Sequence, residues 1–424
     1  MRRSTVAGVL FLAAAIVGGW QARAENWPRF RGPSGQGASI EQDLPLTWSP
    51  TENIAWKTEI PGEGWSSPII WGDQIFVTST TDEGRSCHVI CVDRVTGDIA
   101  WDREVFKQEV RHKRPDNSHA TPTPTTDGVQ VFAVFSSGGI AAVSMDGKVA
   151  WENHEVKFFS QHGLGASPVV TDELVIMPFD GSSPEEDTVG FKKGWDGAVL
   201  LALDKKTGDV KWRASRGSSR LAHVTPQVVT HDGETQLVSA AGDVIQGHDL
   251  ETGELIWTAH SQGEGVTPSV VVGKDLIYTC SGFDKPTIRA VRFGGHGDVT
   301  ATHIEWEQNQ GVPSIASLAY VEPHVYSVTD QGIVSCFDAA TGKLVWKHRI
   351  GGKHVASPIS AEGRLYFLAE ADGETVVIEP GDTYKELARN SVGELCKGSI
   401  AASQGNLFIR SDRRLFCIGE KPVR

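Results

Sequence analysis

The residues that could do chemistry in this sequence do not form a compact motif. His119, His162, His223 and His354 stand shortly before hydroxyl residues that recur along the chain, as do Trp65, Arg220, Glu264 and Lys397. The recurring hydroxyls are Ser67, Thr121, Ser167, Thr225, Thr267, Ser317, Ser357 and Ser399, most of them followed by Pro. Brought to one place, these hydroxyls could hold a ligand or a water cluster; their blander use is to satisfy amides at the inner edge of a sheet, where Pro is tolerated. The imidazoles and Glu264 add acid–base and hydrogen-bonding capacity, and any one His alone reads more readily as an ordinary loop residue. Cations cluster nearby at Arg111–Arg114, at Arg213, Arg216 and Arg220, and at Lys347, Arg349 and Lys353. On an acidic chain such a cluster would focus an anionic ligand, although Glu59, Glu63, Glu109, Asp116, Glu155 and Glu307 dilute it. No Cys/His spacing suits zinc and no acidic loop suits calcium, so no metal site is expected. Nucleophile elbows, P-loops and dinucleotide fingerprints are also missing, which leaves catalytic residues unassigned.

The elements that must position these residues are written in a repeated box. It reads CVDRVTGDIAW at 91–101, ALDKKTGDVKW at 202–212, GHDLETGELIW at 247–257 and CFDAATGKLVW at 336–346. Weaker copies end at Trp151, at Trp306 and near Leu387, and Trp56 closes a half copy. Asp accepting from amides two residues on, a Thr closing the turn and a Gly at positive φ make a tight hairpin running into a strand. Trp56, Trp101, Trp151, Trp212, Trp257, Trp306 and Trp346 are then expected to dock each unit on the next. Their separations of 45, 50, 61, 45, 49 and 40 residues suit one four-stranded blade apiece. The longest interval holds a polar insertion between Asp180 and Trp195, read as a loop between the second and third strands of blade 3.

Counting the recurring hydroxyls gives eight units, the last of which lacks a fourth strand. The orphan strand at 53–60 fits that gap. The expected fold is therefore all-β: an eight-bladed β-propeller of four-stranded antiparallel blades, closed by pairing of N- and C-terminal strands, which leaves no free sheet edge at the seam. Residues 53–424 form the propeller and residues 25–52 an N-terminal arm. In such a ring, loops entering the innermost strands line a funnel mouth, which is where the blade-specific residues fall.

Residues 1–24 read as a signal peptide: Arg2 and Arg3, an apolar run over 6–18, and Ala22-Arg23-Ala24 before the cut. The product is expected to be exported, periplasmic or secreted, with no transmembrane segment. Its net charge of −13 becomes −16 without the leader's three arginines, which argues against nucleic acid as a partner. The six cysteines read as structural: Cys91, Cys336 and Cys417 hold a position that is Ala202 or Gly247 in other units. Cys87 and Cys91, four residues along one strand, are about 13 Å apart and too far for a disulfide, so oxidation in an exported compartment would have to join another pair.

The boxes resemble the PQQ-like propeller repeat, shared by quinoprotein alcohol dehydrogenases and BamB-like outer-membrane assembly proteins. The segment NWPRFRGP at 26–33 resembles the opening of secreted bacterial members of that group. The resemblance covers roughly 53–418, and three functions come into view. The first follows from the blade-specific residues without a catalytic motif: a non-catalytic binding or scaffolding module, taking an anionic small molecule, glycan or peptide at Trp65, His119, His162, Arg220, His223, Glu264, His354 and Lys397. Second is a PQQ-dependent dehydrogenase of alcohols or sugars, with calcium; such enzymes carry adjacent cysteines, and this chain has none. Third is a BamB-like assembly factor with an envelope protein as partner, although such proteins are usually anchored through an N-terminal Cys, and no Cys precedes Cys87. A monomer is expected in each case.

Overall fold

The computed structural model describes residues 25–186, 188–281 and 283–423. The leader expected at 1–24 lies outside the described residues. The described chain forms eight antiparallel four-stranded sheets arranged as propeller blades, two of which gain a short fifth strand in parallel. Blade 1 is typical, with strands Ile69–Trp71, Gln74–Thr81, Ser86–Asp93 and Ile99–Lys107 from inside to outside. Blade 8 joins the termini, because Ile54–Glu59 pairs antiparallel with Arg414–Ile418 outside Asn406–Arg410 and Ala401–Ser403. No helix among the described residues is long and apolar enough to cross a membrane.

The Thr-Gly box explains how blades lock. Asp93 Oδ1 accepts from the amides of Val95 and Thr96, and Gly97 completes the turn at φ +79°. Only a residue without Cβ suits that spot, because the Trp56 indole of blade 8 lies flat against it. The same seat recurs for Trp101 on Gly147, Trp151 on Gly208, Trp212 on Gly253 and Trp306 on Gly342. The indole N–H of Trp56, Trp101, Trp151, Trp306 and Trp346 donates to a turn carbonyl of the following blade at 2.8–3.1 Å.

Trp257 departs from this pattern. Its N–H turns back to Gln236 of its own blade, at 2.9 Å. Two local facts account for it. The residue across the ladder is Gly247, whose missing Cβ lets the indole sink inward. The following unit also has no Thr-Gly turn, and instead lays Gly297–Asp298 beside Leu255–His260. Across the ladder from the other tryptophans stand Ala142, Ala202, Ala290, Cys91, Cys336 and Cys417, all small enough to lie beneath an indole. Each third–fourth strand pair also carries a register shift at this level, a bulge that re-aims the outer strand.

The arm is part of the fold rather than a tail. Trp27, wholly buried, exchanges backbone bonds with Ile70, and Pro28 accepts from Thr126. From there the arm reaches Gln227, Val272, Leu318, Ser360 and Ser403 through Gly35, Gln36, Arg31, Gly37 and Glu25, so it touches every blade except blade 3. These contacts fall on or beside the innermost strands of seven blades. The arm therefore lies across the central channel, and its Phe30 reaches the axial cavity there.

Candidate functional site

Because the innermost strands all run the same way along the axis, the residues preceding them meet at one end of the channel. They enclose a cavity of about 390 Å³. Ser67, Thr121, Ser167, Thr225, Thr267, Ser317, Ser357 and Ser399 all line it. Their main duty is structural. The amide of Ser67 donates to Thr123 Oγ1, that of Thr123 to Ser167 Oγ, and so on through Thr225, Ser269, Ser317, Ser357 and Ser399 back to Ser67, at 2.9–3.3 Å. The bonds form a closed hoop of one link per blade. In blades 2 and 5 the linking residues are Thr123 and Ser269, two positions beyond Thr121 and Thr267; Thr121 instead holds the loop at Asn117 and Ser118, and Thr267 bonds the Gly265 carbonyl.

Of the site residues expected from sequence, Trp65, His162, His223 and Lys397 line this cavity. The other four do not. His119 is buried inside blade 2, where its Nδ1 meets Ser136 Oγ at 2.7 Å. His354 is buried between the carbonyls of Leu368 and Gly351, at 3.1 and 2.8 Å. Arg220 forks onto Asp243 and reaches Asp284, away from the axis. Glu264 stands behind His162, 3.5 Å from its Nε2. Turn geometry and packing direction decide these cases, and neither is written in a residue's distance from a recurring Ser.

The structure also adds lining residues that sequence reasoning missed. Phe30 comes from the arm, Phe283 from the loop after the second strand of blade 5, and Ile315 and Val355 from the loops entering blades 6 and 7. The blade 3 insertion folds over the same quarter, with Phe191 edge-on to His162 at 5.6 Å between ring centres. The arm's sequence marked it as a distinct segment, but its reach across the channel depends on contacts with seven separate blades.

The expected cationic mouth is dismantled into pairs. Lys353 and Lys397 share Glu370 at 2.6 and 3.5 Å, and Arg114 pairs with Asp116 at 3.2 Å. Arg216 is buried against Asp180 in a two-pronged contact at 2.9 Å, and Arg213 meets Glu155. Lys397 lies over the Trp65 ring, 4.6 Å from its centre. An anion gathered by free cations is thus not what this mouth is built for.

Four ring nitrogens on the cavity wall are buried without a partner: Trp65 Nε1, His162 Nδ1 and both nitrogens of His223. Desolvation, with a smaller repulsion from His162, pushes the His223 pKa down to about 3, so that ring is neutral at physiological pH. The two imidazoles lie 6.0 Å apart between centres.

One Ser–His–Asp chain occurs elsewhere, on the outer part of blade 1. His88 bridges Ser86 Oγ and Asp102, both at 2.8 Å. It is not a nucleophile arrangement. The Ser86 hydroxyl is committed to Glu104, and Ser86 is buried. All six thiols are unpaired and buried, and desolvation raises each pKa. Among the described residues no three His, Cys, Asp or Glu gather as a metal site.

The family profile described as outer membrane protein assembly factor BamB matches residues 47–279 and 295–386. The chain belongs to this BamB family. BamB of Burkholderia pseudomallei is 24% identical over 73% of this chain and 74% of its own length. The structure of BamB from Moraxella catarrhalis superposes with a TM-score of 0.60 at 16% identity, covering 88% of this chain and 98% of that one. The quinohemoprotein alcohol dehydrogenase of Comamonas testosteroni gives 0.63 at 11% identity, covering 94% and 81%. These structural likenesses carry the fold and nothing further.

The quinone and calcium that the PQQ-like resemblance implies do not fit the residues here. No cysteine pair is adjacent, the Trp65 face is occupied by Lys397, and the mouth cations that would meet carboxylates are already paired.

Proposed function

We propose that this chain is an exported, non-catalytic binding propeller that serves the cell envelope as a scaffold in protein assembly, as its family's description suggests. One observation carries the non-catalytic part: among the described residues no hydroxyl lining the axial cavity is hydrogen-bonded to a histidine or carboxylate that could take its proton. Its hydroxyls accept amides in the hoop, its lysines are paired and His223 is held neutral. Thiols that could act as nucleophiles lie elsewhere, buried and protonated. The assembly part rests on membership of the BamB family, and export rests on the leader expected at 1–24.

Gene deletion in the native cell, with quantitative profiling of outer-membrane proteins and fractionation of the tagged full chain, tests this reading. Reduced levels of outer-membrane β-barrel proteins and recovery of the chain in the envelope fraction are expected. Unchanged levels, or a cytoplasmic chain, would remove the assembly role. Turnover of an alcohol by the PQQ-loaded protein would remove the non-catalytic one.

A further inference from the structure

The four unpartnered ring nitrogens come from three loops that meet only in the closed ring: Trp65 before blade 1, His162 before blade 3 and His223 before blade 4. A buried polar group without a partner costs about 1–3 kcal/mol, so several on one wall mark a place meant to be filled. We infer that the axial cavity binds a neutral polyhydroxylated ligand, a carbohydrate unit, whose hydroxyls complete Trp65, His162 and His223. This rests on the non-catalytic reading above, since the ligand is held and not transformed.

The donor and acceptor inventory selects the chemistry. Trp65 Nε1 can only donate. A neutral imidazole offers one N–H and one lone pair, so the occupant must both accept from and donate to His223. Sulfate and simple carboxylates carry no hydrogen to donate at neutral pH and would leave the His223 lone pair unmet; phosphate keeps an O–H, but its charge would meet lysines already paired with Glu370. The deep burial that keeps His223 uncharged removes the alternative of a doubly donating imidazolium. A hydroxyl can take either part, and a ligand with several hydroxyls can supply one for each of the diverging ring nitrogens. The hoop extends the match: each Oγ accepts one amide hydrogen, and, apart from Ser357, which donates to Ser317 Oγ at 3.1 Å, the hydroxyls keep an O–H to offer a ligand.

Shape and polarity agree. The cavity volume of about 390 Å³ falls within the usual small-molecule range of about 300–1,000 Å³. Phe30, Phe283, Ile315 and Val355 supply apolar surface suited to the C–H faces of a pyranose. With Phe30 of the arm on its wall and a volume of about 390 Å³, the cavity suits a mono- or disaccharide, or the end of a glycan. The paired cations at the mouth neither attract nor repel a neutral guest.

The test is calorimetric titration of the mature protein with glucose, N-acetylglucosamine, maltose and trehalose, alongside citrate and triglycine. Saturable one-site binding of at least one sugar with Kd below about 1 mM is expected. Trp65→Phe, which keeps an aromatic face but removes the indole N–H together with its five-membered ring, should weaken that binding about fivefold. His223→Leu should weaken it more than tenfold if the variant folds by circular dichroism, and Trp65→Phe decides the matter if it does not. Citrate or triglycine binding in place of sugar would overturn the assignment. So would sugar binding indifferent to Trp65→Phe, or no binding at all, which would leave the cavity to ordered water. A failed titration beside a positive deletion phenotype removes the ligand and spares the scaffold; the opposite pair removes only the assembly role.

Discussion

At the scale of single residues, His223 shows most clearly what the fold does to a side chain. An unfolded His titrates near 6.5, whereas burial holds His223 at about 3 and His248, deep in blade 4, at about 4. Between those values the unfolded chain takes up protons that the folded chain refuses. Stability therefore rises with pH across this window, and is lost as the pH falls from about 6.5 towards 3. Each histidine contributes a slope of roughly 1 kcal/mol per pH unit there. Urea unfolding at pH 7, 5 and 4 should give falling midpoints, and His223→Leu should flatten the fall. A midpoint independent of pH would mean that His223 reaches solvent and protonates in place. The sequence pointed to His223 because it stands just before a recurring Thr, and it pointed to His119 and His354 by the same logic. What separated them was the direction of each side chain: those of His119 and His354 turn into their blades and find Ser136 or backbone carbonyls.

At the scale of the blade, the repeat was almost wholly legible, because a turn of fixed chemistry and a Trp at fixed spacing impose one geometry. The exception is instructive. Where the residue across from the Trp is Ala or Cys, its Cβ supports the indole; at Gly247 a Cβ would collide with the Trp257 ring. Gly247→Ala should therefore cost about 1–3 kcal/mol by overpacking, though Ala is the native choice at the matching Ala202. Cys336→Ala, at the same ladder level, should cost only about 1 kcal/mol, since it removes a thiol and leaves the supporting Cβ. Denaturant midpoints of the two variants decide this. Equal costs would show that the Trp257 orientation does not depend on its glycine. The bulge beside each Trp was not legible, because sequence spacing cannot say which strand carries the extra residue.

At the scale of the whole molecule, three devices close the ring, and sequence reasoning found one of them. The pairing of Ile54–Glu59 with Arg414–Ile418 followed from counting strands. The hydroxyl hoop was anticipated as satisfaction of inner amides, but its continuity from blade to blade appears only in three dimensions. The arm was seen as a segment and not as a tie across the channel. Propeller blades contact mainly their neighbours, so an element that reaches seven of them ties together parts that would otherwise open separately. Trp27 anchors this tie, wholly buried among Ile70, Ile75 and the core of blades 7 and 8. Trp27→Ala should lower stability by about 3–5 kcal/mol. Hydrogen exchange should localise the damage: Ile69–Trp71 and Thr125–Thr126, which Trp27 and Pro28 hold, should lose protection first. The closing pair depends on its own ladder and should keep its protection. Simultaneous loss at both places would instead mean that arm and seam open as one unit, with the hoop too weak to keep them apart.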